Sequence, residues 1–439
     1  MFVSAISFLA GRAQQIDQRS AYVLFDTSPV ALTHVRVIDG SGAPPKVDQT
    51  IIIEGGSIES IGDADKVVVP GTARSLYLRG TTVLPGLVMV HEHFMYHIGD
   101  KFNHAQPFSF LRLYLAYGVT TVRTAGTDFP YLDLNLRQEI ASGRVPGPEI
   151  HVTGPYFDGM PPQFFEGLWG TKIVRDAEDG RRAVAYWAAE GVTSFKLYKS
   201  ISKAAAKAII DEAHRHRLMV TGHLGSLTCE EAADLGIDNI EHATRCAREA
   251  RANGPSAEYA LMRTLAQSKV ALTMTLNANN RPLSDRELEF LHPDARDAYV
   301  RSAAERREVP GAGTFTPLYR EFMKSGGLLV LGSDAGGSPG WGWFAGPSNH
   351  RAVETLVETV GFSPAEAIRI ATLNGATLLR IESRVGTVVA GKQADLFVVR
   401  GNPAVSIRDI ENVEIVFRNG VAYDPNALRV AVKGQVGWH

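Results

Sequence analysis

Eight strand-like runs alternate with helical ones through the middle of the chain, and both ends read as short β-strands between glycine turns. Together they predict an α/β fold: a (β/α)8 TIM barrel with a small composite β-sandwich domain formed by the N- and C-terminal segments. The placement of ionisable residues agrees, because they gather at the C-terminal ends of the barrel runs. The expected division is a leader over residues 1–29, the composite β domain from 30–83 and 384–439, and the barrel from 84–383.

The leader is mildly apolar (Phe2, Val3, Ile6, Phe8, Leu9) and has no basic residue ahead of that stretch. It reads as a weak signal-like segment, so a cytoplasmic location is expected ahead of export. Residues 31–38 alternate, Asp39-Gly40-Ser41-Gly42 supply a turn, and the β-branched run 49–54 is closed by Gly55-Gly56. The same texture returns at 386–389, 394–399, 413–417 and 421–423, with Asn419-Gly420 as a turn. Short strands between such turns suggest a small sandwich.

Between the ends, the barrel runs are 83–93, 120–124, 149–153, 194–198, 218–223, 239–242, 270–275 and 328–334. Helical patterns fill the intervals, for example 176–190 and 202–217. Residues 277–314 are polar and proline-punctuated, which suits a long excursion after the seventh strand. No long repeat of the solenoid kind is present.

At 439 residues the chain has room for one large and one smaller domain. A net charge of −2 makes no case for nucleic acid or an anionic membrane as partner. No apolar run is long enough to span a bilayer. Cys229 and Cys246 form no Cys-x-x-Cys pair and no disulfide framework is expected, which suits a reducing compartment.

The first barrel run, Val83-Leu84-Pro85-Gly86-Leu87-Val88-Met89-Val90-His91-Glu92-His93, ends in two histidines one residue apart. On a strand, positions i and i+2 share a face, so both imidazoles can reach one metal ion. Lys196 lies on the fourth run, His223 and His242 end the fifth and sixth, and Asp334 ends the eighth. Catalysis in such barrels sits at those strand ends, where random placement would scatter six candidates.

This constellation resembles the amidohydrolase superfamily over nearly the whole chain. The matching pieces are Leu84-Pro85-Gly86-Leu87 leading into His91-Glu92-His93, Phe195-Lys196-Leu197-Tyr198, Gly222-His223, Glu241-His242, Gly332-Ser333-Asp334 and the tail from Gly386 to Leu396. It is most similar to the imidazolonepropionase-like and Xaa-Pro dipeptidase-like members with a bridging, carboxylated lysine. The family usually has Asp two residues before the first histidine, where this chain has Met89.

The resemblance implies two divalent metal ions, zinc being expected. His91, His93 and Asp334 would hold the more buried ion, and His223 and His242 the other. Lys196, as the carbamate formed with carbon dioxide, would bridge them. An ammonium cannot ligate a cation, whereas a carbamate is an anion with two oxygens. The implied reaction is hydrolysis of a carbon–nitrogen bond in a small amide or dipeptide-like molecule. A metal-bridging hydroxide would attack the carbonyl carbon, and Asp334 would carry the proton to the leaving nitrogen.

Specificity is expected from the loops after the strands. The candidate substrate contacts are Tyr156, Tyr198, Trp343 and His97. Asn277 to Asn280 and His104 lie in similar places, His350 opens the helix after the eighth strand, and Arg123 or Arg281 suits a substrate carboxylate. Two other readings stand beside this one: a mononuclear-metal deaminase or a cyclic imidazolone or lactone hydrolase on the same fold, and a non-catalytic scaffold. The partner expected is a small-molecule substrate, with a homo-oligomer by analogy to relatives.

Overall fold

The computed structural model describes residues 18–98, 102–160, 171–252, 254, 257–276, 282–302, 312–336 and 342–437. Most of the leader stretch lies outside them. The part inside contains a strand, Val23–Phe25, that pairs with Val421–Tyr423.

The two ends of the chain build one nine-stranded sheet. Its order is Val23–Phe25, Val421–Tyr423, Val413–Arg418, Leu396–Arg400, Thr81–Pro85, Val30–Val37, Lys46–Glu54 and Ser57–Asp63, with Arg74–Tyr77 beside Val30–Val37. The seam between the ends is antiparallel, with Val83 opposite Val398 and Pro85 opposite Leu396. Alternate residues of these strands, including Val30, Leu32, Ile51, Val83, Leu396 and Phe417, bury into a shared core. The two ends thus meet in one continuous sheet.

The eight middle strands are β1 Leu87–Glu92, β2 Val119–Thr124, β3 Thr153–Asp158, β4 Ser194–Leu197, β5 Met219–Gly222, β6 Asn239–Ile240, β7 Ala271–Thr275 and β8 Leu329–Gly332. All their pairings are parallel, and β1, β2, β4, β5 and β8 are buried along their whole length. That is the mark of parallel strands covered on both faces. The caps fall where the sequence puts them. Asp176 accepts from Asp179 N at the head of Ala177–Glu190, and Ser202 from Ala205 N at the head of Lys203–Arg215.

Three details differ from expectation. The opening run 83–93 is two strands, not one. Thr81–Pro85 belongs to the terminal sheet and β1 to the parallel set, and they part at Gly86. A side chain there would strike Thr120, since a Cβ would sit 2.1 Å from its Oγ1. The third run is also split. Glu149–His151 pairs with β2, whereas β3 pairs with β4. The hydrogen-bond ladder of the eight strands thus runs as two parallel sheets and is not continuous around a ring. At the other junction, Gly332 lets β8 lie against β1, where a Cβ would come within 2.3 Å of His91 Cβ. The Asp334 amide donates to the His91 carbonyl at 3.0 Å.

The third difference is a disulfide between Cys229 and Cys246, where none was expected. The sequence spacing of 17 hides the contact. The helices Cys229–Asp234 and Thr244–Ala252 follow the adjacent strands β5 and β6, and so lie side by side. No helix among the described residues is long and apolar enough to cross a membrane.

His350 belongs to packing, not to the site. On the helix Pro347–Glu358 it is buried, and its Nε2–H donates to the Tyr117 carbonyl at 2.7 Å. Burial pushes the imidazole down to about 4. The unfolded chain would take a proton there near the ordinary 6.5, while the folded chain resists until about 4. Its contribution is thus complete above 6.5 and lost as pH falls through that window. At pH 5 the loss is about 2 kcal/mol. Denaturant unfolding at pH 7.5 and 5 should show His350→Gln losing that much less stability than the wild type. Equal losses would remove His350 as the cause.

Candidate metal and active site

The six metal candidates all arrive at the C-terminal ends of their strands. His91 lies within β1 and His93 just past it; Lys196 is in β4; His223 follows β5, His242 follows β6 and Asp334 follows β8. His91, His93 and Lys196 are buried, while His223, His242 and Asp334 keep a partly open edge. Potential ligand atoms of His91, His242 and Asp334 lie within 4.8 Å of one another. Asp334 Oδ1 is 3.2 Å from Nε2 of both His91 and His93, and its Oδ2 is 4.0 Å from His242 Nδ1. The His223 and His242 rings sit 4.4 Å apart, centre to centre. The Lys196 ammonium approaches from beneath, 4.0 Å from Glu241 Oε1.

Two of these positions bend the backbone. His242 and Asp334 adopt left-handed conformations, with φ of 57° and 54°. Asp and His tolerate that region better than β-branched or bulky residues. The turn swings each side chain off its strand and over the site.

The electrostatics suit a cation. Burial and the neighbouring His91 press His242 down to about 3, and burial with His242 presses His223 lower still. Both therefore present neutral imidazoles, the form that can ligate a metal, and His242 Nδ1 meets the Thr275 hydroxyl at 2.8 Å. Asp334 is held well below the carboxylate range, because His91, His93 and His242 outweigh the cost of its burial. Burial brings Lys196 down to about 8, against the pull of Glu241 and Asp334. A neutral amine is then within reach near neutral pH, and it is the form that combines with carbon dioxide. Nitrogen and carboxylate donors without thiolate fit zinc or a similar divalent ion.

The model of the amidohydrolase family matches residues 82–436. The chain belongs to the amidohydrolase family. Enamidase of Eubacterium barkeri is 21% identical over 411 residues, covering 88% of this chain and 93% of that protein. Among solved structures, a Xaa-Pro dipeptidase with methionine bound in its active site superposes with a TM-score of 0.69 at 21% identity, covering 90% of this chain and all of that one. Molinate hydrolase superposes at 0.71 with 20% identity, covering 92% and 97%. This amidohydrolase is accordingly a hydrolase acting on carbon–nitrogen bonds.

Beneath the ligand set lies a layer whose role the sequence did not disclose. Glu241, wholly buried, receives His91 Nδ1 at 2.7 Å on one oxygen and Arg123 at 2.6 Å on the other. Arg123 also donates to Asn239 Oδ1 at 2.8 Å. Arg123 is therefore not a substrate-carboxylate group: it is entirely enclosed behind the site. Met89 is buried too, and the acid that orients His91 in this amidohydrolase comes from the end of β6 instead of from position 89. Glu92 braces the far side. It accepts from the Ser333 amide and hydroxyl at 2.8 and 2.6 Å, from Tyr114 at 3.0 Å and from Asn349 at 3.1 Å. This fastens the β1 end to the segment that carries Asp334.

The substrate-side candidates divide. The Tyr156 hydroxyl lies 3.4 Å from His93 Nδ1, and its ring meets Tyr198 with centres 5.3 Å apart. Tyr198 in turn packs 5.2 Å from His223. Both tyrosines thus stand beside the histidines. Trp343 lies in the loop after β8, where its carbonyl accepts from the Gly336 amide at 3.4 Å. His97 sits on the strand Met95–Ile98 opposite Asn103, and its side chain is outside the described residues. Asn277 to Asn280 and Arg281 also lie outside them.

Proposed function

We propose that this amidohydrolase hydrolyses the carbon–nitrogen bond of a small amide or dipeptide-like molecule with two divalent metal ions, zinc foremost. His91, His93 and Asp334 would hold one ion, His223 and His242 the other, and Lys196 as its carbamate would supply the shared anionic ligand. The observation that carries this reading is the placement of Lys196. A lysine with 1% exposure, at the same strand ends as four histidines and an aspartate, is costly unless its charge is removed or used. When bound, the ions supply an activated hydroxide and polarise the substrate carbonyl.

The chain's own groups do the rest. Asp334 accepts the proton of the attacking water and returns it to the leaving nitrogen. Tyr156 and Tyr198 present their rings and hydroxyls along one side of the substrate. Glu241 and Glu92 keep the ligand-bearing strand ends in register. The finer architecture belongs to the same reading: residues 84–383 as a closed barrel, and 30–83 with 384–439 as a composite sandwich. The Asp334–His91 backbone bond between β8 and β1 favours that closure.

The test is elemental mass spectrometry on protein purified without chelators, beside intact mass under native conditions. About two ions per chain and a carbon dioxide adduct lost in Lys196→Ala are expected. About one ion per chain with unmodified Lys196 would move the reading to the mononuclear deaminase class.

A further inference from the structure

His223 and His242 follow neighbouring strands whose backbone ladder stops short of them. β5 and β6 pair Thr221 with Asn239 and Gly222 with Ile240, and the Glu241 amide adds a bond to the Gly222 carbonyl at 3.0 Å. Past that point the two main chains turn to opposite neighbours. The His223 amide donates to the Leu197 carbonyl of β4 at 3.0 Å, and the Ala243 amide to the Thr273 carbonyl of β7 at 2.8 Å. Between them His242 takes its left-handed turn, at φ 57°. The ladder therefore does not by itself fix the spacing of the two imidazoles, whose ring centres lie 4.4 Å apart.

A covalent bridge ties the two segments to each other. Cys229 opens the helix Cys229–Asp234 that follows His223, and Cys246 lies in the first turn of Thr244–Ala252, just after His242. Their Cα atoms are 5.7 Å apart across the disulfide, and both residues are fully buried. Two polar ties run the same way, from the helix after His242 to the segment after His223. Glu249 accepts the Cys229 amide at 3.1 and 2.9 Å on its two oxygens. Arg245 Nη2 donates to the Gly225 and Leu227 carbonyls at 3.2 and 3.1 Å. These hydrogen bonds can be exchanged for bonds to water, and the sulfur–sulfur bond cannot. Ligands held in place by their surroundings bind a metal more tightly than ligands that must be gathered.

We propose that the Cys229–Cys246 disulfide is a positioning device for the ion of His223 and His242, so that loading of this ion depends on whether the two thiols have been oxidised. This rests on the two-ion reading above. Forming the bridge joins the two sulfurs and hands two electrons and two protons to a small-molecule disulfide, which becomes two thiols. A trialkylphosphine reverses it: the phosphorus takes the oxygen of a water molecule and the two cysteine sulfurs take its hydrogens. A bridge that served only the fold would behave differently. Closing a loop constrains the unfolded chain, so its loss would lower stability without favouring either ion.

The experiment titrates Co2+ into the metal-free full chain in bicarbonate buffer, read by visible absorption and by calorimetry. His223→Ala first identifies the class of ion that this pair holds. Wild type is then compared with Cys229→Ala/Cys246→Ala, which puts no polar group into the buried positions, and with wild type reduced by a trialkylphosphine, the gain of two hydrogens being checked by intact mass. Without the bridge, affinity for the class removed by His223→Ala should fall about tenfold while affinity for the other ion holds. Unchanged affinity for both ions, or an equal loss at both, overturns the positioning role and leaves the two-ion reading standing. A single class of ion that His223→Ala retains overturns the two-ion reading and the positioning role with it. A single class that His223→Ala removes overturns the two-ion reading alone, and the tenfold fall still decides the role of the bridge. Unfolding of both bridge-free forms, seen by circular dichroism, also overturns the proposal, because the bridge then serves the fold.

Discussion

Asp334→Asn should fold, keep nearly its full complement of metal and lose turnover by roughly 10²–10⁴-fold, the range expected for removing a proton-transfer group. The substitution is well chosen for the site. Asp334 sits at φ 54°, and Asn accepts that left-handed backbone as readily as Asp does, so the loop is not disturbed. The amide keeps an oxygen toward His91 and His93, which Asp334 now meets at 3.2 Å. What it cannot do is take up a proton. Both kcat and kcat/KM should therefore fall together, because the missing interaction exists only in the transition state. Steady-state kinetics alongside elemental analysis reads this directly. Wild-type turnover in the variant would end the proton-carrier role, and a large loss of metal would mean that the Asp334 charge, beyond its oxygen, is needed to hold the ion.

The largest effect on stability is expected from Glu241→Gln. The carboxylate holds a wholly buried guanidinium at 2.6 Å, an imidazole at 2.7 Å and the Lys196 ammonium at 4.0 Å. Neutralising it strands Arg123 as an uncompensated buried charge, which typically costs 3–5 kcal/mol, on the order of a third or more of a domain's stability. His91 also loses the partner that fixes its ring, so metal affinity should drop by about 10–100-fold. Chemical denaturation of the metal-free protein isolates the first effect. Adding Arg123→Met to Glu241→Gln should recover most of the loss, because removing both members of a buried pair is far milder than removing one. A single variant within about 1 kcal/mol of the wild type would mean that water reaches Arg123 and that the pair is not sealed.

Much of the candidate site was legible because residues that serve one site must converge, and strand ends make convergence visible as a pattern. His91, His93, Lys196, His223, His242 and Asp334 each end or interrupt an apolar run. What lay behind them was harder to see. Arg123, Asn239 and Glu241 also sit in apolar strands, yet each alone resembles a rim residue. The signal was available: strands buried on both faces have no place for a charge unless charges meet. Arg123 in a run such as Val119–Thr124 had to find an acid, and it finds Glu241, at the end of β6 in the other parallel sheet. The disulfide was missed for another reason. Cys229 and Cys246 are brought together by the parallel stacking of consecutive β/α units, which no short-range spacing announces. The breaks at Gly86 and near Val152 followed the same rule. A continuous apolar run does not reveal that its halves pair with different sheets.

That break at Gly86 also bears on the order in which the chain is put together during synthesis. Thr81–Pro85, which leads straight into the histidine strand, takes its antiparallel neighbour from Leu396–Arg400, more than three hundred residues later. Contacts so distant along the chain form late. A nascent polypeptide can stack its β/α units as they emerge, but Thr81–Pro85 lacks this neighbour until residue 400 has cleared the ribosome. The seam between Thr81–Pro85 and Leu396–Arg400 is thus among the last contacts to form.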